Sequence, residues 1–155
     1  MDLHAGLDNT LTILGHKLKG MVLTREYDPD LPRICGHGGA LNQVWTKLLD
    51  NAIDATAGRG RITVRTAREG ECALVEIVDD GPGVPPEIQS RIFEPFFTTK
   101  GVGQGTGLGL DISYRIVVRE HGGDLRVESV PGRTAFQVRL PLDGGEGRGR
   151  KAEGS

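Results

Sequence analysis

Four groups of residues in this 155-residue chain have the types and spacing to do chemistry. Asn51 lies in Leu48-Leu49-Asp50-Asn51-Ala52-Ile53-Asp54-Ala55, one position from the apolar stripe of a helix, on the flank shared with Lys47 and Asp54. An amide oxygen there can ligate a divalent metal. It can equally make a boundary hydrogen bond at the surface. Asp79 opens Asp79-Asp80-Gly81-Pro82-Gly83 at a strand end and shares a face with Val75 and Ile77. A carboxylate on an inward face needs a donor, because burying it unpaired is costly. The exocyclic amine of a purine would be one donor; the local amides of a turn are another.

The third group is Phe93-Glu94-Pro95-Phe96-Phe97, which gathers three of the chain's four phenylalanines. Such a cluster fastens a loop to a core, and can form the base of a mobile lid. The fourth runs from Gly101 to Leu110 as Gly-Val-Gly-Gln-Gly-Thr-Gly-Leu-Gly-Leu, with Lys100 beside it. Repeated glycine lets backbone approach an anion, and the amides and dipole of a following helix favour phosphate. A flexible loop is the plain alternative, since one glycine-rich run alone is a weak motif.

The elements that must position these groups follow from hydrophobic spacing. Leu3, Leu7, Leu11, Leu14 and Leu18 predict an amphipathic helix over 2–18 with Asp2 as its N-cap. Residues 21–27 read as a strand closed by Asp28-Pro29-Asp30, and 38–57 as a helix ended by Gly58-Arg59-Gly60. The stretch 61–80 reads as a hairpin turning at Glu69-Gly70-Glu71. A short helix is expected near 86–92 and a longer one from near Gly107 to His121. A last hairpin pairs 125–129 with 134–140. The predicted fold class is an α/β (α+β) two-layer sandwich: a mixed sheet of about five strands with three main helices on one face. The organisation expected is one domain over 1–142 and a disordered tail over 143–155, rich in Gly, Arg, Lys and Glu. No Gly-x-x-x-x-Gly-Lys-Ser/Thr motif occurs, which excludes the common phosphate-loop nucleotide fold.

Composition narrows the function classes. Nineteen Lys and Arg against 21 Asp and Glu give a net charge of −2, which argues against a non-specific nucleic-acid or anionic-membrane binder. No apolar run approaches the ~18 residues of a membrane helix, and the N-terminus lacks a signal-peptide layout. Cys35 and Cys72 form neither a disulfide framework nor a metal spacing, so a reduced cytoplasmic setting is expected.

Taken in order, the four groups resemble the N, G1, F and G2 boxes of the catalytic and ATP-binding domain of two-component sensor histidine kinases, a Bergerat (GHKL) fold. The resemblance runs from about Leu3 to Leu140 and includes a closing strand pair around Ser129-Val130-Pro131-Gly132-Arg133-Thr134. It implies ATP and Mg²⁺ as ligands. Asp79 would meet the adenine amino group, with Gly81 and Gly83 shaping that pocket and Thr134 nearby. Asn51 would hold Mg²⁺. Gly105, Gly107, Leu108 and Gly109 would offer amides to the triphosphate, and residues 94–106 would form a lid whose Thr98, Thr99 and Lys100 meet the γ-phosphate. The implied activity is transfer of the γ-phosphoryl group to a histidine on a separate dimerisation domain, and then to a response regulator. No direct membrane contact is implied, and the isolated domain is expected to be a monomer, with any membrane anchor of the parent protein lying outside this chain.

Two departures from the family pattern stand out. Lys47 occupies the position of a second Asn, which is a general-base Glu in the related ATPases. A protonated Lys takes no proton from water, so intrinsic ATP hydrolysis is expected to be weak, with Lys47 paired to Asp50 or Asp54 or to a phosphate. None of His4, His16, His37 or His121 is followed by the acidic residue and Pro of a phosphoacceptor box. The acceptor is thus expected on a missing segment or another chain, and the helical start at Asp2 points to an excised domain. The alternatives are a degenerate, non-catalytic nucleotide-binding module and an anti-sigma-type serine kinase of the same fold.

Overall fold

The computed structural model describes residues 2–34, 36–95 and 110–142. Helix α1 (Leu3–Ile13) begins where Asp2 Oδ1 accepts from the His4 and Ala5 amides at 2.9 and 3.3 Å. It stops short of the predicted end at 18. Gly15, Lys17 and Leu18 instead donate to carbonyls three residues back, as a series of tight turns. Leu14 and Leu18 stay buried all the same. Apolar steps of three and four suit consecutive turns as well as an α-helix, so the spacing alone does not place the break.

Strand β1 (Val22–Glu26) leads through α2 (Gly38–Ala55) to β2 (Arg61–Glu69) and β3 (Cys72–Asp79). A short α3 (Pro86–Gln89) follows. Among the described residues the next helix, α4 (Asp111–Tyr114), continues as a π-helical turn over Arg115–Glu120. The predicted start of that helix near Gly107 lies outside the described residues. Its wide π turn is invisible to a search for a 3.6-residue period. The hairpin of β4 (Asp124–Val130) and β5 (Arg133–Pro141) closes the fold, turning at Gly132 with φ +89°.

The sheet order is β1-β2-β3-β5-β4. The β1–β2 pair, joined by the α2 crossover, is parallel, and the remaining pairs are antiparallel. This is the expected mixed five-stranded sheet. One sheet face carries Ile62, Val64, Val75, Ile77, Phe136 and Val138 into a core shared with Leu7 and Leu11 of α1, Trp45 and Leu48 of α2, and Val117 of the π turn. The opposite face carries the cross-strand row Arg65, Glu76, Gln137 and Arg126. Period-two alternation therefore decides which β3 side chains meet the helices.

Candidate functional site

That alternation carries Asp79 onto the helix side behind Ala73, Val75 and Ile77. Its cross-strand partners are Ile62 on β2 and Thr134 on β5. Asp79 is 3% exposed. Among the described residues one donor reaches it, the Gly81 amide at 2.9 Å to Oδ1. Burial pushes the carboxyl from 3.8 up to about 6; the Gly81 N–H pulls it down, and the Asp80 charge pushes it up again. The neighbouring Asp80 has a different role. It is exposed, and its Oδ1 accepts from the Arg61 amide at 2.9 Å, which ties down the start of β2.

Two glycines bring the following turn close to its neighbours. A Cβ on Gly81 would lie 2.9 Å from both the Ala55 carbonyl oxygen and Asp79 Oδ1. Gly83 has φ +94°, and a Cβ there would lie 2.7 Å from the Val130 carbonyl oxygen. Neither position accepts a side chain without displacing backbone. The turn is therefore held between the C-terminal end of α2 and the β4–β5 hairpin.

Asn51 is on α2, one helical turn before Ala55, roughly 6 Å along the axis from the point where α2 meets Gly81. It is 7% exposed, more enclosed than a boundary position on the flank would be. Lys47 lies one turn earlier and is half-buried. Asp50, one of the partners expected for Lys47, is bound by Lys17 at 3.1 Å. Thr134 is buried, 2.8 Å from Ser129 across the hairpin. The structure thus gathers Asp79, Gly81, Gly83 and Thr134 at one end of the sheet, beside the helix that carries Asn51.

Lys100, Gly105, Gly107, Leu108 and Gly109 lie outside the described residues, as do Thr98, Thr99, Phe96 and Phe97. Both flanks of that stretch are pinned. Ile92 and Leu110 are fully buried, and the Phe93 ring packs on Tyr114 with centroids 5.5 Å apart. Sequence reasoning missed Ser129 and Gln89. Ser129 Oγ accepts from the Val84 amide at 2.7 Å, and Gln89 Nε2 donates to the Val84 and Ser129 carbonyls at 2.8 and 3.3 Å. Ser129 had a signal, because alternation sets it on the same face as Leu125 and Val127.

His4 and His121 have structural work. His4 bonds Thr66 at 2.8 Å and stacks on Tyr27. His121 Nε2 accepts from the His37 amide at 3.0 Å while Nδ1 faces the Ile116 carbonyl at 2.8 Å, so the ring ties the start of α2 to the π turn. His16 is exposed on the turns after α1.

Residues 36–144 match the family model for histidine kinase-, DNA gyrase B- and HSP90-like ATPases. The sensory histidine kinase/phosphatase NtrB of Rhodobacter capsulatus is 42% identical over 135 residues, covering 79% of this chain and 37% of that protein. The chain thus spans little more than a third of that relative. The nucleotide-free catalytic domain of histidine kinase ThkA matches with TM-score 0.84 and 31% identity over 91% of this chain and 93% of that one. A structure of ThkA in complex with response regulator protein TrrA matches with TM-score 0.80 and 27% identity, over 91% of this chain and 40% of that one. With the mixed sheet and the glycine-bearing turn after Asp79, these matches establish that the chain belongs to the histidine kinase-, DNA gyrase B- and HSP90-like ATPase family, as the catalytic domain of a sensor histidine kinase.

Proposed function

We propose that this domain binds Mg·ATP and passes its γ-phosphoryl group to a histidine on a separate dimerisation domain, from which a response regulator takes it. One observation carries the reading: a carboxylate buried at a strand end, Asp79, with a single backbone N–H as donor among the described residues. An adenine amino group would be a second donor to it. Gly81 and Gly83 let the turn after Asp79 pack directly on the Ala55 and Val130 backbone, which fixes the chain beside the carboxylate. Thr134 adds a hydroxyl at the same end of the sheet.

Among the described residues no group of three or more His, Cys, Asp or Glu could hold a metal. Asn51 is a single, largely enclosed amide oxygen, which suits Mg²⁺ bound mainly by phosphates and water. Magnesium held there would neutralise phosphate charge. Lys100 and the amides of Gly105, Gly107, Leu108 and Gly109 would complete the phosphate side. Phosphoryl transfer depends on position and charge more than on covalent chemistry, so such a set is sufficient for the donor half of the reaction. With Lys47 where related ATPases have a base, water is poorly activated and the phosphoryl group is kept for the histidine. No described helix is long and apolar enough to cross a membrane.

Calorimetric titration of Mg·ADP and Mg·ATP tests the binding step. The expected result is binding by the wild type that Asp79→Asn removes. Transfer in trans to a supplied acceptor domain, giving acid-labile phosphohistidine, tests the kinase step. Acid-stable phosphoserine on a partner would instead identify a serine kinase. Binding without transfer to any acceptor would identify a nucleotide-binding module.

A further inference from the structure

We propose that Ser129 is a positioning residue that turns the Thr134 hydroxyl proton toward the nucleobase, and that this orientation helps select adenine over guanine. The inference rests on the reading of Asp79 and Thr134 as base contacts. Ser129, Thr134 and Asp79 form one cross-strand row: Ser129 pairs with Thr134 between β4 and β5, and Thr134 pairs with Asp79 between β5 and β3. A serine hydroxyl has one proton and two acceptor positions. One acceptor position of Ser129 is taken by the Val84 amide at 2.7 Å, and its oxygen lies 2.8 Å from Thr134 Oγ1. Gln89 fastens the same corner by donating to the carbonyls of both Val84 and Ser129. Ser129 is therefore held through its backbone and its side chain.

The direction of the Ser129–Thr134 bond follows from charge. Asp79 is the cross-strand neighbour of Thr134 on the side away from Ser129. The negative charge on that side favours the Thr134 proton pointing out of the Ser129 bond. Among the described residues no hydrogen bond joins Thr134 to Asp79, so the proton stays available to a base seated beside the carboxylate. Ser129 then supplies the proton of the shared bond. The chain of donation runs Val84 N–H to Ser129 O–H to Thr134 O–H, each bond polarising the next. The site then shows an acceptor, Asp79, beside a donor, Thr134. Adenine presents the matching pair, an amino donor beside the ring N1 acceptor. Guanine presents the reverse, a carbonyl acceptor beside an N–H donor, and leaves both protein groups mispaired.

The test is the affinity of the full chain for Mg·ADP and Mg·GDP, for the wild type, Ser129→Ala and Ser129→Thr. Ser129→Ala frees the Thr134 hydroxyl to rotate. It should weaken ADP roughly five- to tenfold, a hydrogen bond's worth of orientation, leave GDP unchanged or tighter, and shrink the ADP/GDP ratio by at least that factor. Ser129→Thr restores the hydroxyl and should return ADP to within about twofold. Equal losses for ADP and GDP would mean a purely structural residue and overturn the proposal, as would ADP affinity unchanged in Ser129→Ala. If the alanine variant does not fold, Ser129→Cys carries the same expectation, because a thiol has similar size but is a weak donor. A folded wild type that binds no ADP would overturn the nucleotide reading itself, and this proposal with it.

Discussion

Strand β3 encloses two carboxylates three residues apart and treats them in opposite ways. Glu76 faces the open side of the sheet, where Arg65 binds one oxygen and the Gln137 amide donates to the other at 2.8 Å. Asp79 faces the helices, is at least as enclosed as Glu76, and among the described residues receives one amide. A side chain whose acceptor positions are filled by the fold serves the fold. One that the fold encloses and leaves short of donors raises the energy of the unliganded protein and is ready for a ligand that brings a donor. Burial alone does not separate the two residues; their partners do.

The largest effect should come from making Asp79 uncharged. Asparagine can still accept from the Gly81 amide, but it replaces the outer carboxylate oxygen with a donor facing the ligand's donor. Asp79→Asn should lower ADP affinity by at least about a hundredfold, since a charged hydrogen bond is lost and an unpaired donor added. The same variant should melt higher than the wild type at pH 7.5. Raising a buried carboxyl from 3.8 to about 6 corresponds to roughly 3 kcal/mol of destabilisation above that pH. Removing it should raise the melting point by several degrees, readable by calorimetric or fluorescence melting. Loss of binding with a lowered melting point would place Asp79 with Glu76 as a structural residue.

The second prediction separates the two carboxylates by pH. A carboxyl raised by folding binds a proton more tightly in the folded chain, so its contribution favours folding most below 3.8. That contribution is lost as pH rises from 3.8 to about 6, and is constant above. The stability difference between wild type and Asp79→Asn should follow that curve in denaturant melts. Nucleotide affinity should run the other way, falling about tenfold per pH unit below 6 as the acceptor is protonated. A flat ADP affinity between pH 5 and 8 would remove Asp79 from the base contact.

Glu76→Gln should do the converse at smaller scale. The amide introduced by that substitution can satisfy Arg65 or Gln137 but not both with full charge. Arg65 is 43% exposed and can be hydrated, so the cost is moderate, about 1–2 kcal/mol of stability. ADP affinity should stay within about twofold of the wild type.

The same contrast explains what was legible in the sequence. Alternation in β3 has a period of two, so the inward direction of Asp79 follows from Val75 and Ile77 alone. The order of strands and hairpins follows in the same way, because Gly70 and Gly132 mark their turns. A helix flank is harder to read. Spacing puts Asn51 at a boundary, yet the end of α2 is where the Gly81 turn packs, and a contact from so far along the chain leaves no local trace. Gln89 escapes sequence reasoning for that reason, and so does the partner of Ser129. Alternation gives the direction of Ser129, but the Val84 amide it holds, like the Ser129 carbonyl that Gln89 reaches, comes from a distant part of the chain. The end of α1 at Ile13 and the π turn after Tyr114 escape it because neither changes the spacing of apolar residues.

The smallest expected effect concerns Lys47, on the same helix as Asn51 and half-buried where Asn51 is enclosed. Lys47→Asn should change ADP affinity by less than about threefold, because the contacts proposed for the base belong to Asp79 and Thr134. It should also leave ATP hydrolysis slow, since neither a protonated amine nor an amide accepts a proton from water. Lys47→Glu is the informative partner, because it places a carboxylate one helical turn from Asn51. If hydrolysis is limited by the missing base, the Glu variant should release phosphate faster than both wild type and Lys47→Asn, without tighter ADP binding. If Lys47 instead holds a phosphate, both variants should weaken ATP more than ADP and neither should gain hydrolysis. Phosphate release at saturating ATP, set beside the two affinities, separates these outcomes. It also shows whether a position one turn from the candidate metal ligand belongs with Asp79, as a group reserved for a ligand, or with Glu76, as part of the surface that carries it.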